Sequence, residues 1–348
     1  MDLQAALLQH YDRTRRDLPW RDERDPYRIW VSEVMLQQTR VETVIPYYRR
    51  WLEQFPDVGR LATADLDEVL LAWQGLGYYR RARNLHAGAV VVRERHEGRL
   101  PDSFDALRAL PGVGEYTAGA VASIAFGAPV PAVDGNVKRG LARLHDEPAP
   151  GAAWLRRTAA GLVDRQRPGD WNQALMDLGA TVCTPTKPRC SACPLARWCR
   201  ARAAGTQDER PAPSRKKEVP ARAFAVAVVV DAEGRALVVR RPDEGLLAGM
   251  WAFPEAPMED GEDLHALAAA ALDDVSVRVG PGFWPRDLPE VRHRFTHLDA
   301  TYHPVLLAGE GSDAENLRWI PLADASPVAL PVAQQKIARS AAAALTKD

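Results

Sequence analysis

Leu110-Pro111-Gly112-Val113-Gly114 lies between two helical patterns, with Leu107 and Leu110 in the first and Val121, Ile124 and Ala125 in the second. Glycines at such a junction let backbone N–H groups approach a ligand closely. Donors gathered at a helix start, beside the positive end of its dipole, suit a single phosphate of DNA. Gly112, Val113 and Gly114 are therefore candidate phosphate contacts, set against the plainer reading of a turn between core helices. Twenty residues beyond Gly114 stands Asp134, in Val133-Asp134-Gly135-Asn136-Val137.

The helical pattern extends toward the N-terminus. Val41, Val44, Ile45, Tyr48, Leu52 and Phe55 recur at the spacing of one helix face, and Thr39 followed by Glu42 predicts a capping box for that helix. One helix earlier, Asp25 caps with Pro26 at the first helical position, and Ile29, Trp30 and Val34 form a buried stripe with Glu33 one residue round. Gln37-Gln38-Thr39 then reads as a tight, exposed polar connection.

All four cysteines fall within seventeen residues, as Cys183-x6-Cys190-x2-Cys193-x5-Cys199. A chain with no other cysteine does not use disulfides as staples, so metal ligation is the better reading. Four thiolates suit tetrahedral zinc or a cubane iron–sulfur cluster, and sulfur count alone does not separate the two.

The chain has 348 residues, enough for two to three domains, and its 46% apolar and 26% charged residues exclude long-range disorder. Net charge is −1, yet residues 1–220 hold 33 basic and 27 acidic side chains against 12 and 19 in residues 221–348. Cys183–Lys217 alone holds nine basic and two acidic residues, an excess of the kind that meets phosphates. Gly205–Pro220 is polar and proline-rich and reads as a linker. Beyond it, Phe224–Val230 and Ala236–Arg240 flank the turn Asp231–Gly234 and predict a β-hairpin. Strands are expected at Val275–Val279 and Thr301–Leu307 and helices at Glu262–Leu272 and Val332–Leu345, an α+β second half. The longest apolar run, Ala223–Val230, is too short to cross a membrane, and the start of the chain lacks a basic-then-apolar signal, so a cytoplasmic protein is expected.

These motifs together resemble the endonuclease III superfamily of DNA glycosylases. The 6–2–5 cysteine spacing matches its iron–sulfur loop, and Leu110–Gly114 with Asp134 matches its helix-hairpin-helix and Gly/Pro-Asp signature. The resemblance implies a [4Fe–4S] cluster on Cys183, Cys190, Cys193 and Cys199, with an architectural role. Bifunctional members of the superfamily, which are also lyases, carry a lysine nucleophile where this chain has Tyr116; without that amine no Schiff base forms, which implies a monofunctional glycosylase.

Trp30 to Val41, reading WVSEVMLQQTRV, resembles the catalytic segment of MutY-type adenine DNA glycosylases, which remove adenine mispaired with 8-oxoguanine. Cleaving the bond to adenine needs a proton for the leaving purine and a carboxylate facing the cationic sugar. The resemblance gives these tasks to Glu33, which protonates N7, and to Asp134, which stabilises the sugar cation or adds transiently to it. An acid among Trp, Val, Met and Leu should have its pKa raised by desolvation. Tyr116 and Asn136 fall at supporting positions, and Gln173 at a position contacting the adenine edge, where some relatives have Glu. Because the target bond is inaccessible in the stack, the base must be flipped. Gln38, Thr39, Leu76 and Tyr78 match positions that touch or intercalate beside the 8-oxoguanine, with core packing the alternative for Leu76 and Tyr78.

Residues 222–348 resemble a Nudix-like 8-oxoguanine recognition domain. Its reading loop is Phe-Ser-His in the family and Phe295-Thr296-His297 here. The segment after Pro254 lacks an Arg-Glu-x-x-Glu-Glu run, so a second hydrolase activity is not expected. The implied architecture is a multidomain protein with a mostly α helix-hairpin-helix core. A six-helix module spans 20–127, a cluster module 1–19 with 128–204, a linker 205–221 and the α+β Nudix-like domain 222–348. The implied partner is double-stranded DNA containing A·8-oxoguanine or A·G mispairs, bound by a monomer. Rival readings are another endonuclease III-like glycosylase acting on T·G, and a non-catalytic, redox-sensing DNA-binding protein.

Overall fold

The computed structural model describes residues 2–213, 218–273, 275, 277–279, 285–322 and 327–346. Two compact units emerge: Met1–Ala64 with Arg83–Arg215, and Asp65–Ala82 with Lys216–Asp348. Twelve described α-helices precede the sheet: α1 Leu3–Thr14, α2 Pro26–Leu36, α3 Val41–Gln54, α4 Val58–Ala62, α5 Leu66–Trp73, α6 Arg80–Arg95, α7 Phe104–Arg108, α8 Glu115–Phe126, α9 Gly135–His145, α10 Ala152–Leu162, α11 Pro168–Thr181 and α12 Arg200–Ala204.

Helix α2 starts as its sequence predicts, with the Asp25 carboxylate accepting from the Tyr27 N–H at 2.8 Å and Pro26 in the first turn. Its burial is wider than a stripe, because Tyr27, Val31 and Met35 are enclosed together with Ile29, Trp30 and Val34. The capping box does not form. The N-cap of α3 is Arg40, without a side-chain cap bond, and the Thr39 hydroxyl donates instead to the Gln37 carbonyl at 3.4 Å. Gln38 sits at φ 57°, a left-handed turn that leaves Thr39 one residue outside the cap position. Helix α3 buries Val44, Tyr48 and Trp51, while Ile45 and Leu52 of the expected face are only half-buried. The Tyr27 hydroxyl joins α2 to the end of α3, accepting from Trp51 Nε1 at 3.1 Å and donating to the Phe55 carbonyl at 2.8 Å.

Helices α8, α9 and α11 pack through glycines. A Cβ at Gly119 would land on the Pro131 carbonyl oxygen, one at Gly169 would lie 2.8 Å from the Ser123 carbonyl oxygen, and one at Gly179 would lie 2.5 Å from Asn136 Cβ. The buried Asn172 carboxamide locks this junction, accepting from the Ala132 N–H and donating to Ser123 Oγ and the Val130 carbonyl.

The second unit holds strands β1 Ala221–Val230, β2 Arg235–Arg240, β3 Trp251–Ala252, β4 Glu255–Met258, β5 Arg278–Val279, β6 Arg286–Asp287, β7 Val291–Arg294, β8 Asp299–Glu310 and β9 Leu317–Pro321. Helices α13 Leu264–Ala270 and α14 Val332–Leu345 complete it. The hairpin forms as expected, with Gly234 at φ 75° and the Asp231 carboxylate accepting from the Glu233 and Arg235 N–H groups. Parallel pairing of β1 with β8, from Ala221↔Asp299 to Val230↔Ala308, places both strands in the middle of the sheet. Val226, Val228 and Val230 face a core shared with Ile337 and Ala341, whereas Ala227 and Val229 face one shared with Ala268 and Leu272. Burial on both faces is why β1 is apolar without alternation.

Other boundaries differ from expectation. Of Val275–Val279 only Arg278–Val279 is strand, and Ser276 lies outside the described residues. Helix α13 is shorter than Glu262–Leu272, because the Asp263 carboxylate accepts from His265 and Ala266 and fixes a later start. Within the stretch read as a linker, residues 214–217 lie outside the described residues. Its earlier part is bound to the first unit: Arg143 Nε donates to the Gln207 carbonyl at 2.7 Å, and Arg210 pairs with Asp146 at 2.8 Å. Among the described residues no helix is long and apolar enough to cross a membrane.

A methyl group at position 119 meets backbone oxygen rather than a yielding side chain. Gly119→Ala is expected to cost about 3 kcal/mol of unfolding free energy, read by denaturant titration, with Gly161→Ala as a near-neutral control in open space.

Candidate active site

Helix α2 carries Glu33 into the interior, where it is 3% exposed. The Tyr116 hydroxyl, from the first turn of α8, donates to Glu33 Oε2 at 2.5 Å. Burial pushes the Glu33 carboxyl above the usual range and the negative charge of Asp134 pushes it further, while the Tyr116 hydrogen bond and the Arg21 cation pull it back. The Tyr116 phenol is held well above its ordinary value by burial and by the Glu33 charge. A carboxyl in such a setting keeps its proton to higher pH than a solvated one, and Met176 Sδ, 3.8 Å from the Tyr116 hydroxyl, adds to the apolar surroundings.

Asp134 caps α9. Its Oδ1 accepts from the Val137 N–H at 2.7 Å and its Oδ2 from Asn136 Nδ2 at 2.9 Å. Both oxygens of its carboxyl are thereby engaged at the start of the helix. The amide of Asn136 is itself oriented by Arg139, which donates to Asn136 Oδ1 and to the Gly179 carbonyl, both at 2.9 Å, and to the Cys183 carbonyl at 2.9 Å. The two carboxyls therefore differ in setting: Glu33 is buried with its pKa raised, Asp134 accepts two N–H donors at the start of α9, and the Asp134 charge is felt at Glu33.

Gln173 is buried on α11 and accepts from Arg21 Nη1 at 2.6 Å. Arg21 and Arg16 both bind Asp177, one turn further along α11. Sequence reasoning missed Arg21, Arg139 and Asp177. A signal existed for Asp177, which repeats Gln173 at i+4 amid Ala174, Leu175, Met176 and Leu178, a spacing that puts two polar groups on one helix face.

At the hairpin, Gly112 has φ 72° and a Cβ there would strike the Asn84 side chain, while the Val113 N–H bonds the Leu110 carbonyl at 3.1 Å. Gly114 is the N-cap of α8 and brings no capping side chain. This leaves the first turn of the helix unobstructed by its cap, the geometry an anion needs.

The four cysteines are unpaired and half-buried. They are near enough to feel one another's charge, and burial pushes the Cys193 thiol up to about 11. Arg143 Nη1 donates to Cys183 Sγ at 3.3 Å. Cys183, Cys193 and Cys199 line a recess of about 520 Å³, counted out to its open mouth, with Leu141, Leu175 and Leu195 among its walls. Among the described residues no three His, Cys, Asp or Glu side chains converge closely enough to hold a single metal ion.

Gln38 is exposed and Thr39 half-buried, both in the first unit. In the second unit Leu76 is buried, 6% exposed, while Tyr78 is 47% exposed at φ 49°. The Tyr78 hydroxyl shares a hydrogen bond with Thr296 Oγ1 at 3.0 Å. Phe295 is half-buried with its ring 4.4 Å from that of His293, and His297 is exposed. Arg81 lies over the Trp73 and Tyr78 rings and donates to the Leu76 and Gly77 carbonyls, and burial lowers its pKa to about 10.

Residues 31–163 match the HhH-GPD superfamily of base excision DNA repair proteins, and residues 225–340 match the NUDIX domain. The human adenine DNA glycosylase is 39% identical over 400 residues, spanning 96% of this chain and 73% of that protein. The Arabidopsis thaliana adenine DNA glycosylase is 41% identical over 364 residues, spanning 88% of this chain and 57% of that protein. Among solved structures, a thermostable thymine-DNA glycosylase superposes with TM-score 0.55 at 30% identity, covering 58% of this chain and 95% of its own. A non-covalent endonuclease III–DNA complex gives TM-score 0.51 at 24% identity over 59% of this chain and 95% of its own, a likeness of fold. Relatives that share both the helical and the sheet-bearing parts, at this identity and over nearly the whole chain, place it in the adenine DNA glycosylase family, enzymes of base excision repair.

Proposed function

We propose that the protein hydrolyses the N-glycosidic bond of adenine mispaired with 8-oxoguanine or guanine in double-stranded DNA, as a monofunctional enzyme. The observation that carries the reading is the pairing of a buried, proton-retaining Glu33 with a helix-capping Asp134. The C1′–N9 electron pair leaves with adenine as Glu33 delivers its proton to N7. Asp134 faces the positive sugar, water adds at C1′, and the proton it sheds returns to a carboxylate. Asn136 and the Val137 N–H orient the Asp134 carboxyl, and Tyr116 holds the Glu33 carboxyl in place. Tyr116 offers a phenol and no amine, so the sugar leaves as the hydrolysed product.

Base extrusion exposes the bond, with Gln173 at the adenine edge and Leu76, Tyr78, Gln38 and Thr39 beside the opposing lesion. Gly112, Val113 and Gly114 take one phosphate at the start of α8. The loop Phe295-Thr296-His297 reads 8-oxoguanine, Thr296 supplying the hydroxyl. These roles divide the chain as 20–127 for base and phosphate, 1–19 with 128–204 for the cluster, 205–221 as linker and 222–348 for the lesion, in a protein acting as a monomer. Cys183, Cys190, Cys193 and Cys199 would hold a [4Fe–4S] cluster. The recess lined by Cys183, Cys193 and Cys199, the mutual electrostatic reach of the four and the Arg143 donor support that fit, and reduced thiols suit the cytoplasm. When bound, the cluster supplies a rigid anchor for the basic loop that contains Lys187, Arg189 and Arg197.

Free adenine should be released from A·8-oxoguanine and A·G duplexes, and no thymine from T·G. Glu33→Gln should slow that release at least about a hundredfold while the lesion duplex is still bound; release at the wild-type rate by this variant would defeat the reading.

The pH dependence follows in sign. Glu33 must be protonated to act, so the rate falls as pH rises through its elevated pKa. Because the folded form binds this proton more tightly than the unfolded one, stability also declines over the interval between the ordinary carboxylate value and the raised one. Glu33→Gln abolishes that decline, so at neutral pH urea denaturation should find the inactive variant more stable than the wild type. Iron and sulfide analysis of freshly purified protein should give four of each, and Cys193→Ser should lower both and shorten the thermal half-life.

A further inference from the structure

Asp177 takes no part in the chemistry above, yet it is 6% exposed and serves two guanidinium groups. Arg16 donates to Asp177 Oδ1 from Nε at 2.8 Å and Nη2 at 2.6 Å, and to Oδ2 from its backbone N–H at 3.4 Å. Arg21 donates to the same Oδ1 from Nη2 at 2.5 Å. Its other terminal nitrogen, Nη1, donates to Gln173 Oε1 at 2.6 Å, and its Nε has no hydrogen-bond partner among the described residues. The buried Arg21 side chain is thus fixed by Asp177 on one side and presses on Gln173 with the other. Gln173 and Asp177 stand one turn apart on α11, which gives the pair its span.

A guanidinium group only donates, so the carboxamide atom that faces Arg21 must be the oxygen. The amide NH2 of Gln173 then turns away from Arg21 with two N–H donors. We propose that Asp177 is a positioning residue for base selection: by fixing Arg21 it obliges Gln173 to meet the extruded base as a hydrogen-bond donor. Such a donor suits adenine, whose N1, N3 and N7 all accept, and opposes the N1–H of guanine and the N3–H of thymine. Without the Asp177 clamp the two arginines repel one another, Arg21 is released, and the carboxamide can turn over and offer either atom. The inference rests on the reading that Gln173 contacts the adenine edge.

The test compares single-turnover excision of adenine, 1-deazaadenine and 3-deazaadenine opposite 8-oxoguanine by wild type, Asp177→Ala and the isosteric Asp177→Asn, with binding to the lesion duplex as a check that the fold is kept. Wild type should handicap the analogue that lacks the nitrogen facing Gln173, relative to adenine, by at least about tenfold more than the variants do. Intrinsic differences between the analogues cancel in that ratio. A role confined to stability would lower all three rates together. Analogue penalties within twofold of wild type in both variants would overturn the proposal. Failure of the parent reading shows separately, as adenine release by Glu33→Gln at the wild-type rate.

Discussion

A carboxyl group taken out of water is the constraint around which the first unit is arranged. Glu33 is buried on α2 with one hydrogen-bond partner, the Tyr116 hydroxyl, and feels the charges of Arg21 and Asp134. Ionising it there is unfavourable, so the site retains a proton that a surface glutamate would lose. Asp134 sits differently, its two oxygens accepting from the Val137 N–H and the Asn136 amide at the start of a helix. Two carboxyl side chains thus occupy unlike settings, one buried with its pKa raised and one capping a helix, the arrangement that acid-assisted loss of a purine needs.

That difference depends on backbone proximity. Gly169 and Gly179 let α11 approach α8 and α9, and Gly119 lets α8 approach the Pro131–Ala132 backbone, to distances at which any side chain would collide. Helix α8 brings Tyr116, α9 brings Asp134 and Asn136, and α11 brings Gln173 and Met176. Arg139 spans the junction from Asn136 to the backbone of Gly179 and Cys183, so the cysteine loop and the capping carboxylate share one hydrogen-bonded support.

Much of this was readable from residues. Asp25 and Pro26 announce the start of α2, Asp231 and Gly234 announce the hairpin, and the long apolar run of β1 is what a strand covered on both faces requires. The Glu33 environment followed from its neighbours in α2. Thr39 misled because a left-handed Gln38 moves the cap by one residue, a backbone choice that local propensity does not carry. The short strands β3, β6 and β7 escaped notice because two to four residues give no period; they exist because β2 and β8 offer edges to pair with. The Arg16–Asp177–Arg21 group joins positions more than 150 residues apart, and nothing local in sequence announces such a contact.

The central pairing of β1 with β8 joins partners 78 residues apart in the chain. Closing so long a loop costs entropy before any ladder bond is gained, and contacts of this separation slow folding. During synthesis β1 must therefore leave the ribosome and wait, with its valines uncovered, until Asp299–Glu310 has followed. In that interval the C-terminal half is at its most vulnerable to proteases and to self-association, and chaperone capture of the nascent chain should be concentrated there.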